Sequence, residues 1–413
     1  MSASSLPVGS VRAGQGTLGM SRQPLVGGLV LLGGIALALA YGQTNPTLAV
    51  IWAFGLAFGL VLQRSRFCFA SAFRDLYLLG DGRVLKGIIA GMAVASVGFT
   101  LIVYKASPEM ARPLGTVTPA GLHTLLGGLL FGFGMVVGGS CASGTLYRIG
   151  EGYVASLVAL LGAFLGMLLL ALTWPFWWSA SVSVSPRAWL PQQLGWVGGL
   201  VFNLALLALL AGLVLWWESR SGGIAGRMPP AESAPATFGD RLRGIWQALF
   251  GRPWPALVAG VVLGTVNVFL TVFSGPWGAT TSISHWAGWL ARAFGYPSEQ
   301  LLYFGPRPAG YELLANAPWL SSGSLLNLGV IFGALAAALL AREFKLRRPT
   351  KKGRYLQALV GGAFWGYGAR LALGCNLGAF FSAIPALAIS GWLFAVGLAV
   401  GSYLGVLAIR RLP

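Results

Sequence analysis

Charge is what this 413-residue chain has least of. Asp, Glu, Lys and Arg make up 9% of it, against about a quarter in soluble domains. That shortage excludes a water-soluble globular protein, whose surface needs charged side chains for solvation. Acids are the rarer sign, ten against 28 bases. There are only two histidines, His123 and His285, and three cysteines, Cys68, Cys141 and Cys375. None of the five falls in the paired Cys or His spacing of a zinc site, so no metal or cofactor is expected, and both histidines are read as structural. Three cysteines cannot pair off completely as intramolecular disulfides. Residues 1–23 also lack the short apolar core and small-residue cleavage site of a removable signal.

Long apolar runs dominate instead. Hydrophobic residues make up 56% of the chain, and runs of about 20 residues, enough to cross a bilayer, recur at 24–41, 46–63, 84–103, 118–140, 153–173, 196–217, 254–274, 322–341, 355–374 and 388–407. These predict an all-α polytopic membrane protein with about ten transmembrane helices. Segment 218–253, rich in Ser, Gly, Ala and Pro, reads as a mobile connector. The predicted organisation is a cytoplasmic tail (1–23), a first membrane half (24–217), a cytoplasmic linker (218–253) and a second membrane half (254–413).

The net charge of +18 would suit nucleic acid, but its placement argues against that partner. Basic residues gather in alternate connections: five at 64–86, five at 218–253 and seven at 342–354, with pairs near both chain ends. The intervening connections at 104–117, 174–195 and 275–321 carry two, one and two. This asymmetry is the positive-inside pattern, which places both termini and the basic loops in the cytoplasm. A bacterial inner membrane is the expected location.

One stretch occurs twice. Residues 127–144 read GGLLFGFGMVVGGSCASG and residues 361–378 read GGAFWGYGARLALGCNLG. A shift of 234 residues carries Gly127 onto Gly361, Gly134 onto Gly368, Cys141 onto Cys375 and Gly144 onto Gly378. Each copy is an apolar helix with a face of small residues, broken at a thiol. The span order makes the first copy run outside to inside and the second inside to outside. Such inverted repeats, with helices broken near mid-membrane, are a common build of transporters for small solutes. The pairs Gly87/Gly91 and Gly329/Gly333 read as close helix packing.

Outside the connections and termini only Arg148, Glu151 and Arg370 are charged, and all three lie close in sequence to Cys141 or Cys375. An ionisable group at membrane depth costs about 2.5–3.5 kcal/mol, so such groups usually face a cavity or a partner. Arg148 and Glu151, three residues apart, could pair on one helical face. Arg370 has no nearby acid in sequence and suits attraction of an anion. A buried Cys often serves only as a small hydrophobe. Here, however, two thiols are repeat-equivalent and the third follows Arg64 and Arg66. Thiols are weak donors and polarisable acceptors, suited to a soft sulfur-bearing anion that must be held loosely and passed on.

Several stretches together resemble the YeeE/YedE family of membrane proteins: RSRFCFASAFRD (64–75), GGSCASGTLYRIGEG (138–152), GPWGATT (275–281), GARLALGCNLGAFF (368–381) and SGWLFAVGLAVGS (390–402). The resemblance implies two pseudo-symmetric halves with an hourglass outline and short central re-entrant helices. It also implies inward movement of thiosulfate past Cys68, Cys141 and Cys375 by transient S–H···S hydrogen bonds. Arg370, Arg148, Glu151, Arg66, Asn376, Gly144 and Gly378 would surround that relay. A small cytosolic sulfur carrier of the TusA type would dock on loop 342–354. The AFRD ending (72–75) looks like the YedE branch, for which a selenium compound is an alternative substrate. Two other readings are a membrane sulfurtransferase that holds sulfur as a persulfide, which requires a thiolate, and a Cu(I) transporter. The latter lacks the paired thiol spacing that a soft metal prefers.

Overall fold

A computed structural model describes residues 22–110, 113–221, 253–306, 309–310 and 321–411. The expected tail and linker lie almost wholly outside the described residues. The described residues form thirteen α-helices: α1 (Gln23–Thr44), α2 (Pro46–Ser65), α3 (Phe69–Leu79), α4 (Arg83–Ala106), α5 (Leu122–Val137), α6 (Ala142–Gly150), α7 (Val154–Trp177), α8 (Leu190–Ser221), α9 (Ala256–Ser274), α10 (Thr280–Ala293), α11 (Ser322–Leu340), α12 (Gly353–Leu371) and α13 (Ile389–Arg411). A wide π-type turn, Asn376–Ser382, precedes α13.

Local sequence accounts for the breaks. Asn45 ends α1 and caps α2, its side chain accepting from the Leu48 N–H, while Pro46 opens α2. Gly80 ends α3 in a left-handed conformation that its missing Cβ makes cheap. Among the described residues nine spans are long and apolar enough to cross a membrane. Helix α12 is the tenth expected span. Its 19 residues reach about 28 Å, but Arg354, Arg370 and five glycines make it less apolar than the rest. The short helices α3 and α6, of 11 and 9 residues, reach about 16 and 14 Å. Each is too short to cross a hydrocarbon core about 30 Å thick.

Helix pairing follows a two-fold rule. The unit α2–α3–α4 corresponds to α9–α10–α11, and α5–α6–α7 to α12, the π-type turn and α13. Helix α2 packs on α11, and its counterpart α9 packs on α4; α5 packs on α13, and its counterpart α12 packs on α7. Helices α5 and α12 meet each other at the axis, while α1 and α8 lie outside the repeat, against α11 and α4. With one crossing per long helix, the two units run in opposite directions. This is an inverted repeat.

Glycines build these crossings, because apolar burial does not hold helices together in lipid and close backbone contact must. On the α2–α11 crossing Gly55 meets Gly329, while Gly59 lies against the Val330 backbone and Gly333 against that of Leu56; on α4–α9, Gly87 and Gly91 face Gly260 and Gly264. A Cβ at Gly260 would lie 1.8 Å from the Gly87 carbonyl oxygen, so no larger residue fits. The packing role expected for Gly87/Gly91 and Gly329/Gly333 is the one they have. Backbone detail repeats as well: Gly139 (φ 76) and Leu373 (φ 60) are equivalent left-handed positions, and Gly152 (φ 89) and Leu387 (φ 61), one residue out of the 234-residue frame, each lie two residues before the next long helix. Bulky leucines rarely adopt this conformation, and here the repeat imposes it.

Candidate functional site

Four short helical segments begin at breaks, and the residue heading each is Cys68 (α3), Cys141 (α6), Ala279 (α10) and Cys375 (the π-type turn). All three thiols are buried. Cys141 sits after the Gly138–Gly139 break in an extended conformation, and its Sγ accepts the Gly144 N–H at 3.3 Å. Ser143 Oγ lies 3.5 Å from the same sulfur. A hydrogen bond of 2.8 Å between the Ser140 and Thr145 hydroxyls ties the break to the first turn of α6.

Gly144 is the point where two thiols meet. A Cβ there would lie 3.0 Å from Cys68 Sγ and 3.2 Å from Cys141 Sγ. Its equivalent, Gly378, faces Gly278 instead, 3.7 Å from that residue's Cα. The fourth corner of the repeat therefore carries Gly278 and Ala279 in place of a thiol. Asn376, next to Cys375, is fully buried, and neither its amide nitrogen nor its oxygen has a hydrogen-bond partner. That amide lies close enough to Cys141 to interact with its sulfur. Cys68 and Cys141 lie close enough for their side chains to interact directly.

Neighbouring side chains satisfy the bare backbone of the fourth break. Asn267 Oδ1 accepts the Trp277 N–H at 2.8 Å, Ser382 Oγ donates to the Trp277 carbonyl at 3.0 Å, and Asn327 Nδ2 donates to the Ala279 carbonyl at 2.9 Å. Irregular backbone at membrane depth requires such partners. Phe58 stacks on Trp277 with ring centroids 3.8 Å apart, and Phe69 meets Phe381 edge-on at 5.6 Å.

On the outer side, Arg370 is fully buried at the end of α12. Its Nε donates to Tyr303 Oη and its Nη1 to Thr281 Oγ1, the latter at 3.1 Å. The guanidinium lies over the Tyr303 ring, 5.6 Å from its centroid. His285, on the same face of α10 as Thr281, is close enough to feel the Arg370 charge. The buried Trp365 Nε1 has no hydrogen-bond partner.

On the cytoplasmic side, Arg148 and Glu151 do not form the direct ion pair that their spacing allowed. Helix α6 ends at Gly150 and Glu151 is its C-cap, so the helical register stops between the two. Arg148 turns back to donate to the Gly139 carbonyl at 2.5 Å and lies over the Tyr147 and Tyr153 rings. Glu151 stands in the connection between α6 and α7, facing Arg347, Arg148 and Gln63. Burial pushes its carboxyl above the usual range, and the two arginines oppose that shift. Arg66 is largely exposed at 65% and pairs with Glu343 at 3.4 Å, away from the thiols. The sequence pattern did not single out Gln63, Thr281, Tyr303, Glu343 or Arg347.

An inverted helical repeat whose broken helices meet at buried thiols, with a buried guanidinium on one side and a half-buried one on the other, defines a membrane transporter. The chain belongs to the sulphur transport family, whose pattern matches residues 64–404. It is 31% identical over 369 residues to the thiosulfate transporter TsuA of Spirochaeta thermophila, covering 84% of this chain and 95% of that protein. It is 30% identical over 367 residues to TsuA of Escherichia coli, covering 84% and 90%. The probable transporter YedE of Salmonella typhimurium is 36% identical over 209 residues, half of each chain. The protein is a multi-pass transporter of the bacterial inner membrane.

Proposed function

We propose that this transporter imports thiosulfate along a path marked by Arg370, Cys375, Asn376, Cys141, Cys68 and Arg148. Arg370 attracts the anion at the outer mouth. The N–H groups at the heads of the short helices add fixed positive potential that needs no counter-charge. The thiols then hand the terminal sulfur inward as weak S–H donors, each binding too loosely to retain it. Gly144 and Gly378 keep the backbone open on either side of the exchange. The observation that carries this reading is the placement of the Cys68 and Cys141 sulfurs together against Gly144, along with the unpartnered Asn376 amide. A polarisable anion would satisfy that amide as it passes. Arg342, Lys345, Arg348, Lys351, Lys352 and Arg354 are exposed on the connection after α11, and this basic face suits a small acidic sulfur-carrier protein that collects the product.

The test is uptake of radiolabelled thiosulfate into membrane vesicles, with sulfite, sulfate and selenite as competitors. Thiosulfate is expected to compete best. Preferential inhibition by selenite would move the substrate to selenium compounds. A stable persulfide on any of the three cysteines would favour covalent transfer over relay.

A further inference from the structure

We propose that the cytoplasmic end of this path is closed by an internal anion: the Glu343 carboxylate fills an anion cradle made by Gln63, Arg64 and Arg66, and an ion leaving the thiols takes its place. The cradle comes from the end of α2. Arg66 adopts a left-handed conformation (φ 51), which stops the helix and brings the three side chains onto one carboxylate. Gln63 Nε2 donates to Glu343 Oε2 at 2.9 Å, and Arg64 Nη1 lies 3.4 Å from the same oxygen. Arg66 Nη2 lies 3.4 Å from the other oxygen.

The carboxylate arrives from the far half of the molecule. Arg342 is also left-handed (φ 59), and the Glu343 N–H bonds back to the Ala338 carbonyl at 2.8 Å, so the chain turns under α11. Arg347 then straps this turn in place, donating to the Glu343 carbonyl at 3.0 Å and to the Glu151 carbonyl at 3.1 Å. The strap spans the cytoplasmic ends of both thiol-bearing segments: the break before Cys68 and the end of the helix that Cys141 heads.

Two features favour a displaceable plug over a fixed brace. Both guanidinium contacts are longer than the roughly 2.7–2.9 Å of a tight charge-assisted bond, so the carboxylate is held without being locked. One carboxylate divided between two guanidiniums carries half the charge they present, and a dianion matches them better than Glu343 does. Arg64 is 1% exposed while Glu343 is 29% and Arg66 65% exposed, so the cradle runs from a buried arginine to a wet rim and its plug can swing outward into water at little cost. Internal occupancy keeps a carboxylate beside the buried arginine and holds the path shut until an anion reaches it.

The purpose of the plug rests on the transport reading, but its existence can be tested without any transported ion. Inside-out vesicles are treated on the cytoplasmic face with a membrane-impermeant, sulfonate-bearing methanethiosulfonate reagent, and modification of Cys68 and Cys141 is followed by peptide mass. Wild-type thiols are expected to react slowly. Glu343→Gln is expected to accelerate modification by about tenfold, within the usual range of coupling between two sites. Glu343→Asp, which keeps the charge on a shorter arm, should fall between them. Adding Arg64→Gln to Glu343→Gln should slow the anionic reagent again while leaving a cationic analogue fast. Equal rates in wild type and Glu343→Gln would overturn the proposal. So would equal acceleration of both reagents in the single and double variants, since general loosening would then explain the access.

Discussion

Cys141 and Cys375, in opposite halves of the chain, hold the same backbone conformation: φ −91, ψ −176 and φ −92, ψ −174. Each heads a short helical segment after a left-handed residue, Gly139 in one half and Leu373 in the other. The two-fold relation therefore reaches down to single dihedral angles at the thiols. A helix N-terminus carries partial positive charge on its unbonded N–H groups, so both thiols stand where an anion is attracted. Cys141 already shows the arrangement in use, since its sulfur accepts one of those N–H groups.

Gly144→Ala tests the meeting point of Cys68 and Cys141. Alanine is the better helix former, so the variant is expected to fold and reach the membrane. Its Cβ would press on both sulfurs, at 3.0 and 3.2 Å. Thiosulfate uptake should fall by about 10- to 100-fold, the penalty for a misplacement of about 1 Å at a working site. Gly378→Ala, whose Cβ makes an ordinary 3.7 Å contact and meets no thiol, should lose far less. The measurement is initial uptake rate at matched membrane abundance.

Arg370 is expected to act through both charge and shape. Arg370→Gln should raise the thiosulfate concentration needed for half-maximal uptake by at least about tenfold, the equivalent of about 1.4 kcal/mol. Arg370→Lys should rescue little, because an ammonium cannot reproduce the directed donors of a guanidinium. Tyr303→Phe removes only the hydroxyl that receives the Arg370 Nε–H, a loss of about 1 kcal/mol in stability. An unchanged concentration dependence in Arg370→Gln would return that residue to a purely structural role.

The α4–α9 crossing makes a stability prediction. Gly260→Ala would drive a methyl group into the Gly87 carbonyl and is expected to cost about 3 kcal/mol, at the upper end of ordinary overpacking. Gly212→Ala, on α8 with nothing within 4 Å of its Cβ, should be neutral or stabilising by up to about 1 kcal/mol. Thermal unfolding of the purified proteins in detergent distinguishes the two outcomes.

Glu151 gives stability a pH dependence of known sign. Its carboxyl titrates above the usual range because it is buried, so the folded state binds the proton more readily than the unfolded chain does. Stability from this group therefore rises as pH falls through the raised folded value, and levels off below about 4.3, the ordinary glutamate value. Glu151→Gln should remove that slope. The difference in melting temperature between the variant and wild type is expected to shrink on acidification from pH 7. A pH-independent difference would show that Glu151 is not strained by burial.

Much of this architecture was legible in the sequence because its signals are local. Apolar run length gave the spans, the single cysteine inside a shifted glycine frame gave the repeat, and the order of the spans gave its inversion. The small-residue pairs Gly87/Gly91 and Gly329/Gly333 gave the crossings. The partners of the site were not legible, because the two-fold exchange brings together residues far apart in the chain. Gln63 and Glu343 are separated by 280 positions, and Arg370 and Tyr303 by 67. Glu343 also sits in a run of seven bases (342–354), where a lone acid reads as part of a solvated face. The Arg148–Glu151 pair failed for the opposite reason: the spacing was right, but the helix ended between the two residues.

The relay is tested most directly by radiolabelled thiosulfate uptake in Cys141→Ala and Cys375→Ala vesicles, with membrane abundance measured in parallel. Abolished uptake in both, with wild-type abundance, is the expected result. Normal uptake in either variant would contradict passage of the anion from thiol to thiol.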